Sequence, residues 1–396
     1  MNDPDPITIK EVNSPALAKA FLQVHVRCNQ GDPHFVRPLD RDIRDVFDPA
    51  SNKAFRHGEV IRWVLFDERE RPVGRIAAFV NRKYKNKGDQ VPVGGIGFFD
   101  CPNDYRYAEK LFDTARDWLR ERGMEAMDGP INFGERDRWW GLLVEGFTEP
   151  MYGMNYNPPY YQGLFERYGF QVFYHQICWY LPMAGTERQL QPKFYTTHDE
   201  LARDPTLEAR YIRRHEVDKF AHDFCAVYNQ AWAQHEGNKT MEERTARKIF
   251  QSIQPIMDPY LIWFVYHEGE PIAMWINIPD INQIVKKLNG KLHWWNKLRF
   301  AYYRWRGVVD RFAGIVFGVI PEFQGKGVDY YMIVEGEKTI KTKTRYRELE
   351  LEWQGDFNPK ILNISRSLGA TEKRRMATYR YLFDRDMPFA RHPMLA

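Results

Sequence analysis

Two rhythms of apolar residues alternate along this chain, one of period two and one of period 3.6, and together they predict an ordered series of strands and helices. Ile7 to Val12 reads as a strand. Ser14 and Pro15 then open a helix whose apolar face is Leu17, Phe21, Val24 and Cys28. A serine hydroxyl caps free N–H groups there, and proline suits the first turn. Trp63-Val64-Leu65-Phe66 and Pro72 to Ala77 flank a charged turn and form a hairpin pattern. Ile96 to Phe99 predicts a strand and Tyr105 to Arg122 a helix. The helix stripe is Ala108, Leu111, Phe112, Ala115, Trp118 and Leu119, and Gly123 ends it. Asn157-Pro158 leads into a short helix, Tyr160 to Tyr168, that stops at Gly169 before a last strand, Phe173 to Leu181.

The same order recurs roughly 200 residues further on. Tyr211 to Arg213 is strand-like, and Val217, Phe220, Phe224, Val227 and Ala231 share one helical face. Ile262 to Tyr266 and Pro271 to Trp275 flank a second charged turn. Ile315 to Ile320 predicts a strand and Tyr330 to Lys341 a helix. Asn358-Pro359 leads into Lys360 to Leu368, then Gly369, then a final strand from Met376 to Phe383. The pattern predicts two α+β units of one design, residues 1–183 and 205–396, joined by a polar linker at 184–204. One large α+β domain is the alternative.

Composition narrows the class. Hydrophobic residues make up 43% of the 396, enough for substantial cores, yet no apolar run approaches the ~20 residues of a membrane span. The first residues, Met1 to Pro6, lack the basic and apolar stretches of a secretory leader, so a soluble cytoplasmic protein is expected. Cys28, Cys101, Cys178 and Cys225 are scattered without metal-ligand spacing, which predicts free thiols and no metal site. The net charge of +4 is modest but unevenly placed. Between Lys286 and Arg311 the cations Lys287, Lys291, Lys297, Arg299, Arg304 and Arg306 interleave with Trp294, Trp295, Tyr302, Tyr303 and Trp305. Three readings stand: a solvated helix with an aromatic inner face, a surface for nucleic acid or anionic membrane, or a positive rim that attracts an anionic cofactor.

One stretch points to chemistry. Gly318-Val319-Ile320-Pro321-Glu322-Phe323-Gln324-Gly325-Lys326-Gly327-Val328-Asp329 reads as a strand, a glycine turn and a helix start. Such a turn leaves backbone N–H groups free at the positive end of the helix dipole, which suits a phosphate or pyrophosphate. It is neither a P-loop nor a dinucleotide fingerprint, because the glycine spacing fits neither.

Gln324, Gly327 and Asp329 resemble the Gln/Arg-x-x-Gly-x-Gly/Ala pyrophosphate loop of the GNAT acyl-CoA N-acyltransferases, and the element order of both halves is similar to the GNAT fold. Asp329 departs from the Gly or Ala of that family. The resemblance implies two GNAT-like mixed sheets in tandem, each flanked by helices. It implies an acyl-CoA cofactor, acetyl-CoA in the first instance, held by Val319, Ile320, Gln324, Gly325, Lys326, Gly327, Val328 and Asp329. It implies transfer of the acyl group to a small-molecule or peptide amine. That chemistry needs a base for the ammonium and an acid for the leaving thiolate. Strand alternation along Arg347 to Trp353 puts Glu348, Glu350 and Glu352 on one face, and Glu352 lies nearest the end where a cleft should open. GNAT enzymes commonly draw the acid from a tyrosine shortly before a Gly-Phe. Here Ser365 and Phe165 hold those places, leaving Tyr330, Tyr331 and Tyr379 as unranked substitutes.

The first half has Asp100-Cys101-Pro102-Asn103-Asp104 where the second has its glycine loop. Two acids and a proline disfavour an anion there, so the first half is expected to be a degenerate copy. Its segment Gly129 to Gly141, with Glu135 and Asp137, either lines a substrate pocket or packs as a turn-rich loop. Two other functions compete: an aminoacyl-tRNA-dependent transferase, motivated by Lys286 to Arg311, and a non-catalytic acyl-CoA-binding protein, motivated by the missing tyrosine.

Overall fold

The structure is a computed structural model that describes residues 7–185, 190–231 and 240–395; four residues of the expected linker, 186–189, and residues 1–6 lie outside them. In chain order the first half contains β1 (Thr8–Glu11), α1 (Pro15–Cys28), α2 (Asp40–Val46), β2 (Gly58–Phe66), β3 (Pro72–Asn81) and β4 (Val93–Asp100). It continues with α3 (Tyr105–Arg120), β5 (Ala126–Gly129), β6 (Leu142–Glu145), α4 (Tyr161–Tyr168) and β7 (Gln171–Pro182). Then come α5 (Pro192–Leu201), β8 (Leu207–Tyr211), α6 (Val217–Ala231), α7 (Glu243–Ile253), β9 (Ile262–His267) and β10 (Glu270–Pro279). The chain ends with α8 (Asn282–Val285), α9 (Trp294–Trp305), β11 (Arg311–Val319), α10 (Val328–Lys343), β12 (Glu348–Gly355), α11 (Pro359–Ser367) and β13 (Thr371–Leu382).

Local chemistry sets the boundaries. The Ser14 hydroxyl accepts from Leu17 N–H at 3.3 Å and starts α1. Asp104 caps α3 through Arg106 N–H at 3.0 Å, and Asn358 caps α11 through Ile361 N–H at 3.4 Å. Strand alternation then divides the first-half core between two helices. Val64 and Ala77 face α1 with Phe21 and Val24, whereas Leu65, Ile76 and Ala78 face α3 with Leu111 and Phe112. Leu111 is fully buried, so its truncation to alanine would cost about 2–5 kcal/mol.

The strands form one continuous thirteen-stranded mixed sheet, in which the two halves are joined edge to edge by an exchange of strands. Their order is β1-β2-β3-β4-β5-β13-β7-β12-β11-β10-β9-β8, with β6 added against β13. It reads the same from either end once the halves are interchanged, so a pseudo-twofold axis runs between β13 and β7. The last strand of each half is inserted into the sheet of the other. β13 pairs with β5 through Tyr379 opposite Gly129, and β7 pairs with β12 through Leu181 opposite Leu349. Only two pairs are parallel among the described strands, β4 with β5 and β11 with β12.

Buried charges lock the exchange. Glu350 of β12 and Arg374 of β13 pair out of contact with water, and Lys373 adds a second cation at 3.2 Å. Arg311 binds Asp280 and donates to the carbonyl of Pro150 at 3.2 Å, which ties β11 to a first-half loop. Burial is the main force holding the Arg374 guanidinium down at about 10. The segment expected as a linker contains α5, which packs on α10: Phe194 lies 4.1 Å from Tyr330, and Tyr195 donates to Glu337 at 2.8 Å. The expected aromatic inner face of α9 is corrected: Trp294, Trp295, Tyr302 and Trp305 are exposed. Among the described residues no helix is long and apolar enough to cross a membrane, and no cluster of side chains has metal-ligand geometry.

Candidate functional site

The glycine loop forms as strand, turn and helix. After Ile320, Pro321 to Phe323 make a single tight turn. Gly325 and Gly327 then sit at φ +74° and +81°, a left-handed backbone that side chains resist. Gln324 stays local, donating from Nε2 to the Val319 carbonyl at 3.0 Å. Gly327 is the N-cap of α10, and Asp329 lies one step inside, in the first turn. Among the described residues the N–H groups of Gly325, Gly327 and Val328 have no acceptor. Those three donors fit an anion. Asp329 competes with one, because its carboxylate accepts from the N–H groups of Asp329 and Tyr330. Burial raises its pKa, against those two hydrogen bonds. Lys326 is exposed beside Phe323, 4.9 Å from the ring. A side chain at Gly327 would also collide with α5, whose Thr197 methyl lies 2.3 Å from the position of an added Cβ.

Just before this loop the sheet opens. β11 and β12 pair from Arg311 with Glu348 to Gly314 with Leu351, and then diverge. On the other side the β12–β7 register slips between Leu351 and Gln354. Glu352 and Trp353 therefore leave the ladder on both sides. A cavity of about 470 Å³ opens between the diverging strands, with Ile315, Phe317, Ile333, Leu351, Ile364 and Leu368 in its wall. The size and apolar lining suit a small-molecule site. Glu352 shares that wall with Ser365 and Tyr228.

The register slip breaks the alternation expected from Glu348 to Glu352. Glu350 is buried against Arg374, while Glu352 lines the cavity. Glu352 has no hydrogen-bond or ion-pair partner among the described residues. Burial in the apolar wall pushes its carboxyl up to about 8, with Asp137 adding to the rise and Arg138 opposing it. Asp137 belongs to the first half. It reaches Glu352 across a second, smaller cavity walled by Trp139, Trp140, Tyr152, Trp353 and Met376. Trp353 Nε1 donates to the Arg136 carbonyl at 3.2 Å and fixes that contact. The segment Gly129 to Gly141 thus meets the carboxylate of the second half.

The tyrosine substitutes separate. Tyr379 lies in the first-half sheet, its hydroxyl donating to Glu166 at 3.1 Å. Tyr330 stacks on Phe194, and Tyr331 is buried beside His198. None of the three lines the cavity. Ser365 is buried and donates to Gln354 at 2.9 Å, and Phe165 is buried in the first-half core. Tyr228 of α6, missed in the sequence, does line it; its helical spacing offered no reason to single it out.

The first-half counterpart of the cavity is filled. Beyond the parallel pairing of β4 with β5, Ile131 N–H continues to the Ile96 carbonyl at 2.7 Å, and Trp139 packs on Phe98. In the turn that follows, Asp100 is buried with Arg75 at 2.6 Å, His25 at 3.0 Å and the Tyr161 hydroxyl at 2.9 Å. Burial works against that carboxylate, but the charges of His25 and Arg75 outweigh it and hold the group at about 2.

No protein-family model matches the chain. The chain is 26% identical over 393 residues to a bacterial ceramide synthase of Caulobacter vibrioides, covering 94% of this chain and 97% of that protein. It is 24% identical over 368 residues to the protein YghO of Escherichia coli, covering 91% and 92%. Among solved structures it superposes on a tandem GNAT protein from the clavulanic acid biosynthesis pathway, with a TM-score of 0.54, 10% identity, and 96% and 100% of the two chains covered. A GCN5-related N-acetyltransferase from Sphaerobacter thermophilus gives 0.51, 12%, and 96% of each chain. This chain has the tandem GNAT fold.

Proposed function

We propose that this tandem GNAT-fold protein is an acyl-CoA-dependent N-acyltransferase that joins a long-chain acyl group to a long-chain amine. The observation that carries the reading is Glu352: an unpartnered carboxylate in the wall of an apolar cavity that opens directly before the anion-binding loop. Residues 1–183 act as the companion unit and 205–396 as the cofactor-binding unit. Val319, Ile320, Gln324, Gly325, Lys326, Gly327, Val328 and Asp329 form the loop that would hold the pyrophosphate. Bound acyl-CoA would supply an activated acyl group, whose C–S bond gives way to an amide C–N bond. Glu352, ionising near pH 8, takes the proton of the attacking amine. Of the two hydroxyls in the wall among the described residues, Ser365 is committed to Gln354, and Tyr228 is assigned the return of a proton to the leaving sulfur. Leu351, Ile315 and Phe317 exclude water from that exchange.

Two facts favour a long chain over the acetyl group expected from sequence. The cavity is far larger than a two-carbon unit, and Ile315, Ile361 and Ile364 at its rim are all exposed. A relative over nearly the whole chain bears the name bacterial ceramide synthase, and a ceramide is a long-chain amino alcohol acylated on nitrogen. Thiol release from palmitoyl-CoA tests the reading. Release that depends on an added long-chain primary amine supports it; release indifferent to amine, or none with acyl-CoA of any length, contradicts it.

A further inference from the structure

We propose that α9 anchors this protein to an anionic lipid surface. Five of its side chains are large, apolar and open to solvent: Trp305 is 77% exposed, Trp294 66%, Trp295 58%, and Leu298 and Tyr302 53% each. Trp294, Leu298, Tyr302 and Trp305 follow at intervals of four, four and three, so they form one outward stripe, with Ala301 beside them. Cations flank the stripe on both sides. Lys297 and Arg304 lie along one edge, and Arg299 and Arg306 along the other. From Ile281 to Val309 there is no Asp or Glu, while Lys286, Lys287 and Lys291 complete a group of seven Lys and Arg. The whole chain carries only +4, so the rest of the molecule is net acidic. A helix with an apolar outer stripe rimmed by cations lies in the headgroup layer, its rings in the acyl boundary and its ammonium and guanidinium groups at the phosphates.

The inner face explains why the outer one is not needed for folding. Asn296 is buried and donates to the carbonyls of Leu288 and Lys291 at 3.1 and 2.8 Å. Phe300 and Tyr303 pack on a small core of Ile284, Leu288 and Val309. Lys291, Lys297 and Arg306 have no ion-pair partner among the described residues.

The occupant follows from charge and shape. A second copy of this patch would set its cations against their own kind, since among the described residues only Lys286 of the seven has a carboxylate partner, Glu149 at 2.6 Å. Single-stranded RNA would match the charge and find Trp294, Tyr302 and Trp305 to stack on, but Leu298 and Ala301 between them break the run of aromatic platforms that successive bases use. An anionic bilayer matches both features. This inference does not depend on the acyl-transfer reading, although an enzyme taking long-chain substrates would meet them at such a surface.

Co-sedimentation with vesicles tests it. The full chain is expected to bind equimolar phosphatidylcholine and phosphatidylglycerol, to ignore phosphatidylcholine alone, and to show a blue shift of tryptophan emission on binding. Trp294→Ser, Trp295→Ser and Trp305→Ser together should keep the fold by circular dichroism and lose the binding. Lys291→Gln, Lys297→Gln and Arg306→Gln together should weaken it roughly a hundredfold, from about fivefold per cation near an anionic surface. Glu352→Gln should bind as the parent does, so failed catalysis and failed anchoring are told apart. Equal binding to both vesicle types, or retention by the triple tryptophan variant, overturns the proposal. Preference for a single-stranded oligoribonucleotide, with vesicles ignored, overturns it in favour of RNA.

Discussion

Glu352→Gln has an effect on stability whose size and pH dependence follow from the structure. Folding moves this carboxyl from its ordinary 4.5 to about 8, mainly because burial penalises the charge. A unit of pKa is worth about 1.4 kcal/mol. The group keeps partial solvent contact, so the realised difference is roughly 2–4 kcal/mol. The sign follows from proton binding. Below pH 4.5 folded and unfolded chains both hold the proton, and the substitution changes little. Between 4.5 and about 8 the folded chain keeps a proton that the unfolded chain has lost, so the parent loses stability steadily as pH rises. Glutamine cannot ionise and removes that decline. Urea midpoints for the two proteins should therefore nearly coincide below pH 4.5, draw apart between 4.5 and about 8 and stay apart above it, with the glutamine variant the more stable. The same variant should lose about 10²–10⁴-fold in turnover, the usual worth of a positioned base. A stability difference that stays constant across this pH range would refute the buried, unpartnered carboxylate.

Further expectations concern its neighbours. Asp137→Asn removes the negative charge that helps hold the Glu352 proton, so the rising limb of the activity–pH profile should move to lower pH, while Arg138→Gln should move it higher. Lys326→Glu should reduce the thermal stabilisation by CoA, which for a wild-type protein at 100 times its dissociation constant is about 2.7 kcal/mol. Asp329→Asn should increase that stabilisation by removing a charge from the loop. Glu350→Gln leaves Arg374 buried without its carboxylate and should cost about 3–5 kcal/mol in urea unfolding.

The loop and the element order were legible because they rest on local signals. Glycine spacing, the strand before it and the helix after it lie within a dozen consecutive residues, and a glycine at positive φ closes both α4 and α11. The shared Asn-Pro does not act alike, since Asn358 caps α11 whereas Asn157 exchanges hydrogen bonds with Leu143 and α4 begins only at Tyr161. The exchange of β7 and β13 was not legible, since both strands carry the same alternation whichever sheet receives them. The strand position of Glu352, near the end of β12, is local information, but the separation of Glu352 from Glu350 is not: it comes from the register slip after Leu351, and a slip depends on partner strands that the local sequence does not name. Tyr228 and Asp137 approach the site from elements distant in sequence, and only the assembled fold brings them to it. The aromatic residues of α9 repeat at helical spacing, but spacing does not say which way a stripe faces.

The claim that this fold transfers long acyl chains is tested most directly by competition. The protein is given equimolar acetyl-, octanoyl- and palmitoyl-CoA with a long-chain amino alcohol such as sphinganine, and the amides formed are measured by mass spectrometry. The palmitoyl amide should exceed the others, and Glu352→Gln should abolish it. A product dominated by the acetyl amide, or no amide from any donor, would contradict it.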